Sequence, residues 1–293
     1  MSQSTKIEWA TKVWNPVTGC NKVSQGCKNC YAETVAKRFW GERKFTDVVM
    51  HEDRLHLPNW KTPQRVFVNS MSDLFHEDVS FHFIYNVWMR MYANPQHTFM
   101  ILTKRPERII KYIEWFKNFL GEFIVLPNVW LGVSVENQET ANERIPLLVQ
   151  VPAAVRWLSC EPLLGRVVLS HAYKIPSIDH PHAKCGPLIH WVVVGGESGA
   201  KARPMHTDWV LNLRHECEMA NVPFFFKQWG EWMPISRPLT SSEINVLPKY
   251  YAEGKRFYQM PLDYSEYYKC GKAKAGRKLD GVEYNEFPKA EMI

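Results

Sequence analysis

The chain has 293 residues, 45% of them hydrophobic, and a net charge of +6. That is enough apolar material for one large core, or a core with an appendage. No run of 18 apolar residues occurs, which excludes a membrane-spanning helix. The opening MSQSTKIEWA lacks an apolar signal region, so a soluble, reducing, cytoplasmic setting is expected. A charge of +6 favours an anionic partner such as DNA or RNA, although many cytosolic proteins carry as much.

A first strand is expected near Ile7–Trp14. A Pro/Gly/Asn-rich loop follows, with Cys20, Cys27 and Cys30 spaced Cys-x6-Cys-x2-Cys. In a reducing compartment these are thiols rather than disulfide partners, and clustered thiolates bind soft metals. A structural zinc site wants a fourth ligand close by, and the next Cys or His downstream is His51. Three ligands suit a [4Fe-4S] cube, whose fourth iron then stays open for a substrate or cofactor. A zinc knuckle with a distant fourth ligand and plain buried thiols are the alternative readings.

Short apolar runs follow, each ending in polar residues. They are Arg65–Val68, Phe99–Leu102, Val129–Val133, Val155–Leu158, Ile189–Val194 and Val222–Phe226. Such runs bounded by turn signals read as buried parallel strands. Between them, Phe81–Asn94, Arg108–Leu120 and Thr207–Ala220 repeat apolar residues at helical spacing, with Thr207 or Asp208 placed to cap the last. Strand–helix alternation implies βαβ units. The expected fold is α/β: a partial TIM-like (β/α) barrel of about six to seven parallel strands with a C-terminal appendage.

Residues 1–232 form the barrel in this reading, with an insertion near 166–190, and 233–293 form the appendage. The insertion holds His180-Pro-His182-x2-Cys185, a sequence that could ligate a metal or merely collect histidines in a loop. The 12 Trp, 12 Tyr and 15 Phe are assigned mostly to a large aromatic core, with base-stacking surfaces as the alternative.

In a barrel of this kind function sits at the carboxyl ends of the strands. The residues there are Ser70-Met-Ser72-Asp73, Thr103-Lys104-Arg105, Ser134-Val-Glu136-Asn137, Ser159-Cys-Glu161-Pro162, Gly195-Gly196-Glu197-Ser198 and Lys227-Gln228-Trp229. One shared site is expected. Asp73 is either a ligand-binding carboxylate or a helix cap. Arg203 suits a carboxylate or phosphate through a bidentate fork. Lys269, Lys272, Lys274, Arg277 and Lys278 form a basic tail that either tracks phosphate or is a solvated face.

The three-cysteine loop on an incomplete barrel resembles the radical S-adenosylmethionine (SAM) superfamily. The usual spacing there is Cys-x3-Cys-x2-Cys, so the match is partial. A closer resemblance, covering nearly the whole chain, is to a phage- and prophage-associated family of unassigned function known for its three-Cys motif. It rests on Trp14-Asn-Pro-Val-Thr-Gly-Cys20, Gly26-Cys-Lys-Asn-Cys-Tyr-Ala32, Ser70-Met-Ser-Asp-Leu-Phe75, Leu102-Thr-Lys-Arg-Pro106, Gly132-Val-Ser-Val-Glu-Asn137, Ser159-Cys-Glu-Pro-Leu163, Gly195-Gly-Glu-Ser-Gly199, Phe225-Phe-Lys-Gln-Trp-Gly230 and Gly276-Arg-Lys-Leu-Asp-Gly281.

The radical SAM resemblance implies a [4Fe-4S] cluster on Cys20, Cys27 and Cys30, with SAM on the fourth iron. Reductive cleavage of SAM then gives methionine and a 5′-deoxyadenosyl radical, the cofactor supplying the chemistry and the protein its placement. Asn29, Tyr31, Ser70, Ser72, Asp73, Ser134, Glu136, Gly195, Gly196 and Glu197 become cofactor-binding candidates. Gly195-Gly-Glu197 resembles a SAM-binding Gly-Gly-Glu, but follows a later strand than usual. Lys104, Arg105, Glu161 and Lys227 become catalytic candidates, and Arg203 and Gln228 substrate-binding ones.

An electron donor such as a flavodoxin or ferredoxin is implied, and a phage- or host-encoded protein partner is compatible with the resemblance. The leading functional expectation is radical chemistry on a nucleic-acid base, in repair or in modification. The alternatives are a non-catalytic zinc- or cluster-stapled nucleic-acid-binding protein, or radical chemistry on a peptide or small metabolite.

Overall fold

The structure, a computed structural model, describes residue 5 and residues 7–169, 188–235, 257–259 and 266–289. In chain order the elements are β1 (Lys12–Trp14), β2 (Val17–Thr18), α1 (Tyr31–Phe39), β3 (Val49–Met50), β4 (Arg65–Val68), α2 (Phe81–Tyr92), β5 (Thr98–Thr103), α3 (Pro106–Leu120), β6 (Val129–Ser134), α4 (Gln138–Leu148), β7 (Val155–Cys160), β8 (Trp191–Gly195), α5 (Thr207–Met219), β9 (Phe224–Gln228), β10 (Trp232–Pro234), β11 (Phe257–Gln259), β12 (Glu266–Lys269) and α6 (Lys272–Ala275).

One sheet carries the fold. Its order is β1-β4-β5-β6-β7-β8-β9, and every neighbouring pair is parallel. Successive strands, joined among the described residues by α1 to α5 everywhere but between β7 and β8, curl into an open half-barrel, as the strand–helix alternation predicts. Each expected strand exists, with ends displaced by up to two residues, and the first is only Lys12–Trp14.

Both faces of the sheet are covered, so β6 and β8 are buried along their full length. The outer face meets the helices through Val66, Val68, Phe99, Ile101, Leu131, Val133, Val192 and Val194. The concave face is aromatic. Trp9, Phe67, Trp130, Trp157, Trp191 and Phe225 pack there with Met100, Val155 and Val193. The rings meet mostly edge to face, Trp9 lying 4.8 Å from Phe67 and 5.3 Å from Trp157. Most of the sequence's tryptophan excess that falls on the strands is therefore core.

Gly132 is what admits Trp157. The two are register partners across β6 and β7, and a Cβ on Gly132 would stand 2.5 Å from the Trp157 ring.

Local signals start the helices, not always where expected. Ser80 caps α2 by accepting from the Phe83 N–H. Asn137 and Thr140 form a reciprocal capping box on α4. His206, rather than Thr207 or Asp208, caps α5, its Nδ1 accepting from the Asp208 N–H at 3.1 Å. The sequence reading did not single out α1 or α4. The second is rich in polar residues and contains Pro146, so its apolar stripe is weak.

The tail does more than lie on the barrel. β10, β12 and β11 form a small antiparallel sheet, and the chain then returns along β9. The Phe226 N–H donates to the Tyr284 carbonyl at 3.0 Å and the Trp191 indole N–H to the Glu286 carbonyl at 2.8 Å. Phe287 stacks on Trp191, with the Arg65 guanidinium over its other side. This segment covers the edge of β9, which otherwise offers unpaired backbone groups.

Of the 166–190 insertion, residues 170–187 lie outside the described residues, and with them the His180-Pro-His182-x2-Cys185 motif. His190 is described. Its Nδ1 accepts from the Arg156 N–H at 2.9 Å, and burial, with the Arg156 charge beside it, pushes the ring down to about 4. Among the described residues no helix is long and apolar enough to cross a membrane.

Replacing Gly132 with Ala forces Trp157 out of register with the other rings. The expected loss is about 1–3 kcal/mol, the usual cost of overpacking. Urea unfolding followed by Trp fluorescence measures it, and an unchanged midpoint would refute the packing argument.

Candidate active site at the carboxyl ends of the strands

The polar ends of the seven strands and the cysteine loop enclose one cavity of about 580 Å³. Its wall includes Cys20, Cys27, Cys30, Ser70, Asp73, Lys104, Ser134, Ser159, Glu161, Gly196, Glu197 and Lys227, and it deepens toward Val13, Phe67 and Trp9. The shared site expected of the strand ends is therefore one physical space.

The cysteine loop has little regular structure of its own. Cys20 follows β2, Cys27 ends a 3-10 turn, and Cys30 precedes α1. Three charged clusters hold the loop against the barrel. In the first, Arg105 is 4% exposed and donates from Nη1 to Asp73 at 3.1 Å and from Nε to Glu77 at 3.1 Å. The same guanidinium reaches Cys20 Sγ at 3.8 Å and the Asn21 carbonyl at 3.5 Å.

In the second, Glu136 is 1% exposed and accepts from Lys104, from Arg144 Nη1 at 3.1 Å and from Ser24 Oγ at 2.7 Å. Gly26 lies flat against it, where a Cβ would come within 2.4 Å of the Glu136 side chain. In the third, Glu197 binds Arg203 through both oxygens, at 2.6 and 2.8 Å, and accepts from Asn29 at 3.1 Å. Arg203 reaches on to the Gln25 carbonyl at 3.0 Å. Burial alone would raise the Glu136 and Glu197 carboxyls; their charged and hydrogen-bonding partners outweigh it and hold both below the usual range.

A fourth pair faces the cavity without touching the loop. Lys227 donates to both oxygens of Glu161 at 2.8 Å. Gln228, 1% exposed, supports it through Glu161 at 3.2 Å and the Gly196 carbonyl at 2.8 Å. Ser134 and Ser159 are register partners beside this pair.

Several of the candidate residues have partners within the protein. Asp73 is neither a helix cap nor a free carboxylate: it accepts from the Phe75 N–H, Thr103 Oγ1, the Lys104 N–H and Arg105. Arg105 and Gln228 are buried and hydrogen-bonded to Asp73 and Glu161 respectively. Arg203 pairs with Glu197 and donates to the Gln25 carbonyl. Ser70 donates to Asn15, just past β1, at 3.1 Å and Ser72 to the Val17 carbonyl in β2 at 2.8 Å, so the two tie the segment from β1 to β2 to the end of β4. Tyr31 donates to the Ser70 carbonyl. Gly195 ends β8 beside Glu161. The sequence reading missed Ser24, Arg144, Asn15 and Glu77, whose only signal was the capacity to pair across long separations.

The thiols differ. Burial and the Asp73 charge push Cys20 up to about 12, against the pull of Arg105. Burial also raises Cys30. At Cys27 the same burial is outweighed by Lys104 and by hydrogen bonds from backbone and Ser24, which leaves it below the ordinary thiol value. Among the described residues, no three His, Cys, Asp or Glu side chains gather closely enough to hold a metal ion. All three thiols line the cavity. As a donor set, three thiolates suit a multi-iron cube.

Glu136→Gln removes the charge between buried Arg144 and half-buried Lys104, and about 3 kcal/mol of stability should go with it at neutral pH. Because the folded pKa lies below the usual carboxylate value, the wild-type advantage is complete above that value and fades as pH falls through the depressed one. Urea titrations from neutral to acidic pH test this; a pH-independent difference would show that the charge is not the cause.

Two solved structures of spore photoproduct lyase resemble the chain: a mutant with bound AdoMet and dinucleoside spore photoproduct, and a mutant with dinucleoside spore photoproduct alone. Each is 12% identical, covers 92% of this chain and 71% of its own, and has a TM-score of 0.42. No curated protein matches. The family model described as "Protein of unknown function (DUF5131)" matches residues 4–288, and the chain belongs to that family.

Proposed function

We propose that this protein is an iron–sulfur enzyme of radical SAM type whose substrate is a nucleic-acid base. The observation that carries the reading is the cysteine loop itself. Three thiols border a cavity of about 580 Å³ at the carboxyl end of a parallel half-barrel, and three buried charged clusters keep that loop in place. A solvated loop needs no such anchoring, because exposed ion pairs add little.

Cys20, Cys27 and Cys30 are the residues to hold a [4Fe-4S] cluster. Such a cluster, with SAM, would supply one-electron radical chemistry at the cavity. The chain's own contribution is placement and charge. Arg105 near Cys20 and Lys104 near Cys27 offset the negative charge that thiolates bring. Trp9 and Phe67 give part of the cavity an apolar lining. Lys227 and Glu161 face the cavity, and they are assigned to orienting the polar groups of cofactor and substrate. Ser134, Ser159 and the Gly196 backbone line the same wall.

The base-directed part rests on the +6 charge and on Lys272, a tail cation that lines the cavity and pairs with Glu8 at 2.9 Å. The electron is assigned to a small reductant such as a flavodoxin or ferredoxin.

Anaerobic reconstitution should give a brown protein with about four irons per chain. Ala at Cys20, Cys27 or Cys30 should abolish the colour, whereas Cys217→Ala should not, because Cys217 is buried on the inner side of α5, away from the cavity lining. SAM should alter the EPR signal of the reduced protein, and dithionite should release 5′-deoxyadenosine. Lys227→Met should retain iron yet lower nucleoside release at least about tenfold, the cost of losing an orienting charge-assisted contact. One tightly held zinc with no iron–sulfur absorption would refute the enzyme reading and favour a metal-stapled binding protein.

A further inference from the structure

The helix that follows Cys30 carries an unusual outer face. On α1, Tyr31, Val35 and Phe39 are spaced i, i+4 and i+8, which puts them on one stripe of the helix. All three are exposed, Phe39 to 69% and Tyr31 to 53%. A surface helix ordinarily points such a stripe inward. Here the inward contacts are made by Ala32 and Ala36 instead.

The stripe is continuous with the cavity. Tyr31 stands at the cavity rim, tied by its hydroxyl to the Ser70 carbonyl, and Phe39 lies two turns away, about 12 Å along the helix. The surroundings are basic. Residues 20–44 hold Lys22, Lys28, Lys37, Arg38, Arg43 and Lys44 against Glu33 and Glu42, which is +4 of the chain's +6. Glu33 is shared by Lys22 and Lys37. Arg38 places its guanidinium 5.2 Å from the centre of the Phe39 ring.

We infer that α1 is a docking track for single-stranded or locally unpaired nucleic acid, leading a strand to the cavity mouth. Exposed rings offer stacking faces to any base, and interleaved cations meet the phosphates between them. A protein partner fits less well, because Lys is depleted from protein interfaces and this stripe is narrow and lysine-flanked. A base handled at the cavity must also leave its stack first, so the track that delivers it should prefer unpaired strands. The inference rests on the nucleic-acid part of the reading above and not on the cluster.

Fluorescence anisotropy with a labelled oligothymidine, at low and at physiological salt, tests it on the full-length protein. Phe39→Ala, at an exposed position whose loss leaves the core intact, should weaken binding about tenfold, the effect of one stacked base. Lys28→Ala with Arg38→Ala should reduce the salt slope by about 1.4, at roughly 0.7 per lost phosphate contact on a single strand. Duplex of the same length should bind more weakly.

Lack of binding at low salt would overturn the track. So would equal affinity of wild type and Phe39→Ala, or competition by polyglutamate that ignores Phe39, which would point to an acidic protein or to bare charge. Iron content and nucleoside release are read in parallel: a protein that cleaves SAM but ignores the oligonucleotide loses only this inference. One that binds through Phe39 without a cluster keeps it and loses the enzyme reading.

Discussion

Glu136 carries one negative charge into a place where water cannot reach it, and much of the site depends on how that charge is met. Two cations and a serine hydroxyl converge on it, from the ends of β5, from α4 and from the cysteine loop. A buried carboxylate is costly unless all its oxygens are engaged. Lys104, Arg144 and Ser24 are therefore not interchangeable decorations; moving any one of them strands the others. The contact of Gly26 with the same side chain makes the loop's backbone part of this arrangement. Asp73 with Arg105 and Glu197 with Arg203 repeat the pattern on either side.

These clusters explain how a loop with almost no secondary structure can hold three cysteines at defined positions. The Cys20 N–H donates to the Phe45 carbonyl at 2.9 Å; the backbone bonds at Cys27 and Lys28 are local turns, so most of the loop's long-range contacts come from side chains. The consequence for chemistry is a division of labour. Some strand-end residues in the cavity wall, such as Asp73, Lys104 and Glu197, also hold the loop. Glu161 and Lys227 line the same wall and pair with each other.

The barrel beneath supplies the rigidity. Its concave face is filled with indole and phenyl rings rather than the branched aliphatics usual in closed barrels. Large flat side chains suit an open sheet that does not complete its circle. The returning tail adds Phe287 to the same cluster, so the last elements of the chain help to close what the strands leave open.

The strands, their parallel pairing and the polar rim were legible because they are local. A run such as Trp191–Gly195 is apolar on both faces, and only a sheet covered on both sides tolerates that. The cysteine spacing was legible for the same reason. The pairings were not. Glu136 meets Ser24 across 112 positions and Arg203 meets Gln25 across 178, and no periodicity records which cation neutralises which carboxylate. Arg144 sits in a polar helix that reads as solvent-facing, and Phe287 in a tail that reads as an appendage. By itself the sequence determined the architecture and the thiol set, since burial pattern and spacing are written along the chain. Only the tertiary structure decided which charged residues anchor and which remain available, because that follows from distances between strand ends that the chain visits far apart in sequence.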